Sequence, residues 1–310
     1  MKFKNIFLKG IDVLGFNALA RTLNKKDNIV VLMYHSVVPD DCKWVGEDWL
    51  YVKVSEFKKQ MNFLSENFHV VPLSTIKNSS TIPIYRSDKP TAVISFDDGY
   101  ANNYHYAFPI LKSYYLPATI FLITDTIDKD QIFWWDKVRL QYPFLSEDKL
   151  QAALENLKSL ENPEDRIELD PEEIPTKEKE IFRTLRSSEI KEMANSGLIT
   201  FGSHTHLHTI LTNVSLADSQ ISLQISYDKL KKDIPRSIPF ICPPNGNFNQ
   251  EHINQAEFIG YKGLVTTQFG FHNKLNNNRY CIPRIGIGRN CSLDYFKYIT
   301  LGAYSFRNLL

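Results

Sequence analysis

The feature that most constrains the fold of this chain is an apolar run that ends on two adjacent carboxylates and a glycine. Residues 91–96 predict a buried strand, because a short continuous apolar run bounded by turn signals suits a parallel sheet covered on both faces. Asp97 and Asp98 follow directly, and carboxylates there need a cation, hydrogen-bond donors or water. Gly99 permits a sharp turn that holds both carboxylates near one point. The motif therefore predicts a place that holds a metal ion or a proton.

Strands and helices alternate along most of the chain, a pattern that favours a parallel sheet with right-handed crossovers. Further strands are predicted at residues 29–34, 117–123, 198–201 and 238–242, with short apolar runs near 263–266 and 282–287. Helical spacing begins at Ser55, a suitable N-cap, and returns at residues 104–111, 188–195, 216–231 and 292–300. With 310 residues, the chain is long enough for one large α/β domain or two modest ones. Six or seven strand-and-helix units favour a single barrel-like α/β domain over residues 29–310.

Two segments interrupt this alternation. Residues 36–54 lack clear periodicity and predict a surface loop that carries aromatic side chains. Residues 141–186 are rich in Glu, Lys, Asp and Leu, and they predict a charged helical insertion that faces solvent.

Residues 1–28 predict an amphipathic helix ahead of the domain. They faintly imitate a secretory signal, but Lys9 and Asp12 interrupt the apolar stretch, and a membrane span would need roughly 20 predominantly apolar residues. We expect the helix to pack on its own domain, with peripheral membrane contact as the alternative. A location in the cytoplasm or at the cytoplasmic membrane surface follows, although the sequence does not exclude export.

The charge and the cysteines exclude some classes of protein. The formal net charge is +1, which argues against nucleic acid as a partner held by a broad basic field. The cysteines are widely spaced and form no Cys-x-x-Cys pair, so they are expected to be thiols in a reduced compartment rather than a disulfide framework.

Candidate site groups follow the predicted strands. They are His35, the Asp97/Asp98 pair, the histidines at 204, 206 and 208, and the turn at residues 243–246. Parallel α/β folds place ligand sites at the carboxyl ends of their strands, so these groups are expected at one edge. His204 and His208 are four residues apart, and in a helical or tightly turned backbone they can face one ion.

One aspartate with two histidines makes a mixed nitrogen and oxygen ligand set that leaves positions for water and substrate. The second aspartate is then available as a base that takes a proton from the attacking water. Such a site hydrolyses an ester or an amide, and an amine leaving group needs a proton donor such as histidine. The alternative is structural: the histidines cap the loop and the aspartates bind its backbone amides.

Two motifs in this order resemble those of the NodB-homology polysaccharide deacetylases, carbohydrate esterase family 4. They are Ser95-Phe96-Asp97-Asp98-Gly99 and Ser203-His204-Thr205-His206-Leu207-His208. The resemblance implies a distorted (β/α)7 barrel over residues 29–310, interrupted by the insertion, and a metal-dependent hydrolase that removes N-acetyl, sometimes O-acetyl, groups from sugars. It implies that Asp97 is the base and that Asp98, His204 and His208 hold the metal, whereas His206 receives no ligand role.

The third motif departs from the common form of the family. Cys242-Pro243-Pro244-Asn245-Gly246 replaces Arg-x-Pro-Tyr, so no arginine is expected at this motif to orient the base. The backbone N–H of Asn245 can still donate to an oxyanion, because that role does not depend on the side chain. Asp136 is a candidate to replace part of the missing network.

The family's Leu-x-x-His motif is also absent from its usual C-terminal place, where Pro283-Arg284-Ile285-Gly286 stands instead. Leu32-Met33-Tyr34-His35 supplies the same pattern at the end of the first strand. This resembles the circularly permuted subgroup related to exopolysaccharide deacetylases, and it makes His35 the candidate general acid. The alternative is a histidine that only packs at the strand end.

Aromatic side chains near the site are candidates for a sugar platform, because flat apolar faces suit sugar C–H surfaces. They are Trp44, Trp49, Tyr100, Trp134 and Trp135. We expect one or two of them, foremost Tyr100 and Trp135, to contact substrate together with Pro244 and Asn245.

The sequence thus predicts an N-deacetylase that acts on an N-acetylated cell-envelope or exopolysaccharide glycan or its precursor. Its cofactor is expected to be a divalent metal, zinc first, with cobalt, nickel or iron also compatible with the ligands. Two alternatives stay open: an O-acetyl esterase on a similar fold, and a carbohydrate-binding pseudoenzyme, the latter suggested by the missing arginine.

Overall fold

The structure is a computed structural model of the 310-residue chain. It describes residues 28–42, 50–76, 89–142, 146–158, 167, 174–273 and 278–302. Residues 1–27 of the predicted N-terminal helix lie outside these ranges, and so do Trp44 and Trp49. The roles predicted for them therefore stay predictions.

Strands and helices of the described residues alternate through most of the chain. The strands are β1 (Asn28–Tyr34), β2 (Ser36–Val38), β3 (Tyr51–Lys53), β4 (His69–Val70), β5 (Thr91–Phe96), β6 (Ala118–Leu122), β7 (Ile199–Ser203), β8 (Ser237–Ile241), β9 (Gly263–Leu264), β10 (His272–Asn273) and β11 (Ile285–Gly286). The α-helices are α1 (Val54–Asn67), α2 (Phe108–Ser113), α3 (Trp134–Gln141), α4 (Glu147–Lys158), α5 (Thr176–Phe182), α6 (Ser187–Asn195), α7 (Leu216–Asp233), α8 (Gln250–Ile259) and α9 (Leu293–Thr300).

Seven parallel strands form a distorted ring. The order β1-β5-β6-β7-β8-β9 runs through parallel pairs, and β11 pairs in parallel with the other edge of β1. Ile282, just before β11, forms a parallel bridge to Val265, just after β9, and this short contact completes the circle. The observed architecture confirms the expected (β/α)7 barrel.

The core explains why β5 is a continuous apolar run rather than an alternating one. Ala92, Ile94 and Phe96 lie in the hydrophobic cluster that includes residues of the surrounding helices, such as Phe57 of α1. Val93 belongs to a second cluster that fills the inside of the ring. Because both faces of the strand are buried, every position except the exit favours a side chain whose transfer out of water costs little free energy.

Local structure around residues 36–54 differs from the expected surface loop. β2 and β3 pair in parallel as a separate two-stranded sheet at the two ends of the segment. Helix α1 starts at Val54 with Lys53 as its N-cap, so the predicted cap at Ser55 is wrong. The Ser55 hydroxyl instead donates to a carboxylate oxygen of Asp40 at 2.5 Å, an acceptor outside the helix that sequence spacing does not identify.

Part of the insertion at residues 141–186 folds onto the domain. Leu150 and Leu154 of α4 are buried in a cluster with Phe133, Trp135 and Val138. This packing places α4 beside the carboxyl ends of the strands, although its other faces are charged and exposed.

No disulfide joins any of the four cysteines, all of which lie in the described residues. Among the helices that the structure describes, none combines the length and the apolar character needed to cross a bilayer.

Candidate active site

The five predicted catalytic and metal-ligand residues come together in one cleft at the carboxyl ends of the strands. The cleft has a volume of about 950 Å³, and its lining includes His35, Asp97, Asp98, His204 and His208. His35 follows β1, the carboxylates follow β5, and the two histidines follow β7. Because the parallel strands end at the same edge of the sheet, they bring together residues that are up to 173 positions apart in the sequence (208 − 35).

The turn after β5 depends on left-handed backbone conformations. Asp98 has φ 73° and Gly99 has φ 78°, a region that side chains other than glycine adopt at a cost. A Cβ at residue 99 would lie 2.8 Å from Cδ2 of Leu122. The sharp turn expected from Gly99 is present, and Asp97 and Asp98 both reach the cleft.

His204 and His208 face Asp98 through a tight turn rather than through a helix. Thr205 and His208 have φ values of 64° and 56°. The Nε2 atoms of His204 and His208 lie 3.2 Å and 3.7 Å from Oδ1 of Asp98. His206 points elsewhere, with its Nδ1 at 3.0 Å from Oγ1 of Thr124, as expected for a histidine without a ligand role.

The three residues fit a divalent metal ion. Asp98, His204 and His208 each offer a ligand atom, and these atoms lie within 4.8 Å of one another. Nδ1 of His204 donates to the carbonyl oxygen of Cys242 at 2.6 Å, which orients the ring and directs Nε2 at the cluster. Burial, with the neighbouring His204, lowers the pKa of His208 to about 3.

Asp97 is held by an arginine that the sequence analysis did not assign. Nη1 and Nη2 of Arg284 donate to Oδ1 and Oδ2 of Asp97 at 2.7 Å and 2.8 Å. Arg284 is fully buried and lies just before β11. No arginine comes from the third motif, as expected; the arginine that orients this carboxylate instead comes from the segment just before β11.

Arg284 also explains the charge state of Asp97. Burial alone would raise the pKa of Asp97, but the guanidinium outweighs it and holds the pKa well below its usual range. The thiol of Cys242 lies 3.4 Å from Oδ2 of Asp97 and 3.0 Å from Nη2 of Arg284. The carboxylate is therefore ionised at neutral pH and fixed in orientation.

A sequence signal for Arg284 existed. Ile282, Ile285 and Ile287 surround it in a run that reads as a buried strand, and a charged side chain in such a run needs an opposite charge. The sequence does not say which carboxylate supplies it.

His35 lies on the other side of Asp97. Its Nε2 is 4.0 Å from Oδ2 of Asp97, and its side chain is 11% exposed. Burial lowers the pKa of His35, although both aspartates oppose the shift. Asn103 donates to the backbone carbonyl of His35 at 2.8 Å, which ties the end of β1 to the neighbouring helical turn.

Tyr100 and Asp136 form a buried network beside the site. Tyr100 is fully buried and donates to Oδ2 of Asp136 at 2.7 Å, and Tyr51 donates to the other oxygen. Tyr100 does not line the cleft, so its expected contact with substrate is wrong. Arg139 also donates to Asp136, and Asp97 is held by Arg284 rather than by a network through Asp136.

Trp135 lines the cleft while most of its ring is buried. It stacks on Phe133 with ring centroids 4.6 Å apart, and its Nε1 donates to the hydroxyl of Tyr100 at 2.8 Å. Its ring lies 4.7 Å from that of His208. Trp135 therefore supports a metal-ligand candidate, and Trp134 beside it also lines the cleft.

The turn after β8 differs in one position from the expectation. Asn245 lines the cleft as expected, with φ 56°. The proline that lines the cleft beside it is Pro243, whereas Pro244 was expected there. Pro244 is buried behind it.

Comparisons of the sequence with known proteins point to one family. The family model described as polysaccharide deacetylase matches residues 85–264. The chain is 24% identical over 283 residues to YxkH of Bacillus subtilis (strain 168), which carries the name of a polysaccharide deacetylase; the match covers 90% of this chain and 77% of YxkH. It is 26% identical over 263 residues to the poly-beta-1,6-N-acetyl-D-glucosamine N-deacetylase of Staphylococcus aureus (strain MSSA476), covering 80% and 70% of the two chains.

A solved structure has the same fold. The Streptococcus pyogenes deacetylase PplD in complex with acetate matches with a TM-score of 0.62 and 22% identity. The match covers 88% of this chain and 98% of that one.

Proposed function

Since the chain belongs to the polysaccharide deacetylase family, we propose that it is a metal-dependent hydrolase that removes N-acetyl groups from a cell-envelope or exopolysaccharide glycan or from its precursor. The relative in Staphylococcus aureus supports this choice, because its name specifies an N-acetylated glucosamine polymer. The bond cut is then a linear amide C–N bond.

One observation carries the proposal: a carboxylate fixed by an arginine lies beside a separate set of metal ligands. Arg284 binds both oxygens of Asp97, while Asp98 faces His204 and His208. The adjacent aspartates are thus given different surroundings, as a base and a ligand require. A purely structural cluster gives no reason for the two to differ in this way.

The roles of the residues follow from their positions. Asp97 takes a proton from the attacking water, since each carboxylate oxygen keeps a lone pair beyond its bond to Arg284. The backbone N–H of Asn245 stabilises the oxyanion of the tetrahedral intermediate. His35 then protonates the amine as the C–N bond breaks, and the amine leaves with acetate as the second product.

Asp98, His204 and His208 would hold the metal ion. When bound, a divalent ion lowers the pKa of water and polarises the acetyl carbonyl. Zinc is the first choice for two imidazoles and a carboxylate, and cobalt, nickel or iron suit the same donors.

The test is acetate release from N-acetylglucosamine oligomers. We expect release by the wild-type protein, its loss after chelation, its return on adding zinc, and its loss in Asp97→Asn. Asp125→Asn is a matched control, because this carboxylate pairs with Lys129 in a neighbouring loop and does not line the cleft. Unchanged release by Asp97→Asn would refute the assigned mechanism.

An O-acetyl esterase and a carbohydrate-binding pseudoenzyme remain the alternatives. A parallel assay with O-acetylated glycans separates the first, because an esterase would release acetate from these substrates alone. A pseudoenzyme would bind glycans without releasing acetate from any of them. The missing arginine that suggested a pseudoenzyme is a weaker argument, because Arg284 contacts Asp97.

A further inference from the structure

Two consecutive asparagines lie directly behind the catalytic residues. Asn102 and Asn103 follow the turn at Asp98 and Gly99, and both side chains are at most 1% exposed. A buried amide group loses its bonds to water and needs others in their place. The hydrogen bonds of these two amides therefore show what the pair holds.

The asparagine pair binds three successive residues at the end of β1. Nδ2 of Asn103 donates to the carbonyl oxygen of His35 at 2.8 Å. Nδ2 of Asn102 donates to Oγ of Ser36 at 3.1 Å, and the backbone N–H of Val37 donates to Oδ1 of Asn102 at 3.1 Å. Nδ2 of Asn103 also donates to that Oδ1 at 3.1 Å, which joins the two amides. The main chain is thus held from His35 onward.

The segment that carries the base also holds the acid. The backbone N–H of Asp97 donates to the carbonyl oxygen of Tyr34 at 2.9 Å, so β5 is bonded to β1 just before His35. The asparagine pair adds a second connection just after the Cα of His35. Between these two connections, Nε2 of His35 lies 4.0 Å from Oδ2 of Asp97. The place of the acid relative to the base is therefore set from both sides.

Two features of Asn103 are not explained by stability. Its Oδ1 is buried and has no hydrogen-bond partner among the residues that the structure describes, which costs free energy. The backbone at Asn103–Ala107 forms a π-helical turn, a form that occurs frequently at functional sites. A leucine has a similar shape and would bury no unpaired acceptor. What it lacks is the N–H group that binds the carbonyl oxygen of His35.

We propose that Asn103, joined to Asn102, is a positioning residue for the general acid: it holds the main chain of His35 so that the imidazole stays beside Asp97. The proposal rests on the proposed function, in which His35 protonates the departing amine. Asn103 does not line the cleft and acts through His35 alone. Its loss should therefore impair the step that needs a proton on the leaving group more than the attack by water.

The test compares substrates that differ in their leaving group. N-acetylglucosamine oligomers release an amine, which takes a proton as the C–N bond breaks, whereas 4-nitrophenyl acetate releases a phenolate that leaves without one. We expect Asn103→Leu to lower kcat for the oligomers about 100-fold relative to kcat for the aryl ester, the loss typical of a displacement of about 1 Å. Asn103→Ala, which introduces no new bulk, should give the same ratio. Equal losses for both substrates would overturn the positioning role.

Asn67→Leu is the matched control. Nδ2 of Asn67 donates to the carbonyl oxygen of Phe63 at 2.8 Å within α1, and Asn67 does not line the cleft. We expect this variant to keep kcat for both substrates. In a His35→Ala background, Asn103→Leu should lower kcat for the oligomers no further, because the group that it positions is gone. An undiminished loss in that background would contradict the proposal.

A structural measurement separates failure of the positioning role from failure of the proposed function. Crystal structures of the wild type and of Asn103→Leu need no turnover. We expect Nε2 of His35 to move by about 1 Å or more from its place beside Asp97. This outcome supports the positioning role even if no glycan releases acetate. An unmoved imidazole overturns it even if the chain is an active deacetylase.

Discussion

The replacement Arg284→Met tests the buried contact between Arg284 and Asp97. Methionine keeps much of the aliphatic volume but removes the guanidinium that binds both oxygens of Asp97. The same guanidinium donates to the backbone carbonyl of Thr266 at 2.9 Å and to the hydroxyl of Ser95 at 3.2 Å. The change therefore leaves a buried carboxylate and two further acceptors without their partner.

Breaking a buried ion pair by removing one partner costs about 3–5 kcal/mol of unfolding free energy, because an uncompensated charge stays behind. Adding Asp97→Asn removes that charge. The double variant should then lose less unfolding free energy than the two single variants lose together, by about 0.5–3 kcal/mol, which is the range of coupling energies for residues in contact.

The sign of the pH dependence follows from the pKa of Asp97. In the wild type this pKa is depressed, so the stabilisation is present above the unfolded value of about 3.9 and is lost as the pH falls towards the folded value. Without Arg284, burial is the leading influence and raises the pKa above 3.9, so the folded state favours the protonated carboxyl. The stability deficit of Arg284→Met should therefore shrink between pH 8 and pH 5.

Urea unfolding in the presence of a chelator measures both effects without a contribution from bound metal. Arg186→Met is a suitable control, since Arg186 is 39% exposed and pairs with Asp130 at the surface. We expect it to cost at most about 1 kcal/mol. Additive single changes, to within about 0.5 kcal/mol, or a deficit that does not depend on pH, would show that Asp97 and Arg284 do not form the buried pair described.

Three further changes test the surroundings of the pair. Asp98→Ala should abolish the rise in melting temperature that zinc causes in the wild type, as measured by thermal unfolding; an equal rise in both would place the metal elsewhere. Asp136→Asn weakens the buried bonds from Tyr51 and Tyr100, and we expect a loss of about 1–3 kcal/mol in urea unfolding, against no change if the network is not formed. Gly99→Ala should cost about 1–3 kcal/mol and reduce acetate release, because the new methyl group meets Leu122 in a left-handed turn; full stability would exclude that conformation.

The class of fold was predictable because it depends on local patterns. The apolar run at residues 91–96 is buried on both faces, and the alternation of strands and helices leads to a parallel ring. Boundaries were less predictable: α1 begins at Val54 without a cap from Ser55, and β2 and β3 pair within a segment that shows no periodicity. A three-residue strand is too short to produce a pattern of its own.

By itself, the sequence determined the membership of the site: two carboxylates and a glycine after a strand, and histidines four residues apart, restrict the chemistry through residue type and spacing. Only the tertiary structure decided how those residues are used. In the folded chain Arg284, which lies just before β11, contacts Asp97, Tyr100 lies in a buried network, and α4 lies along the cleft. The physical reason is that parallel strands have neighbours that chain order does not specify, and the pKa of a carboxylate is set by those neighbours rather than by its own position in the chain.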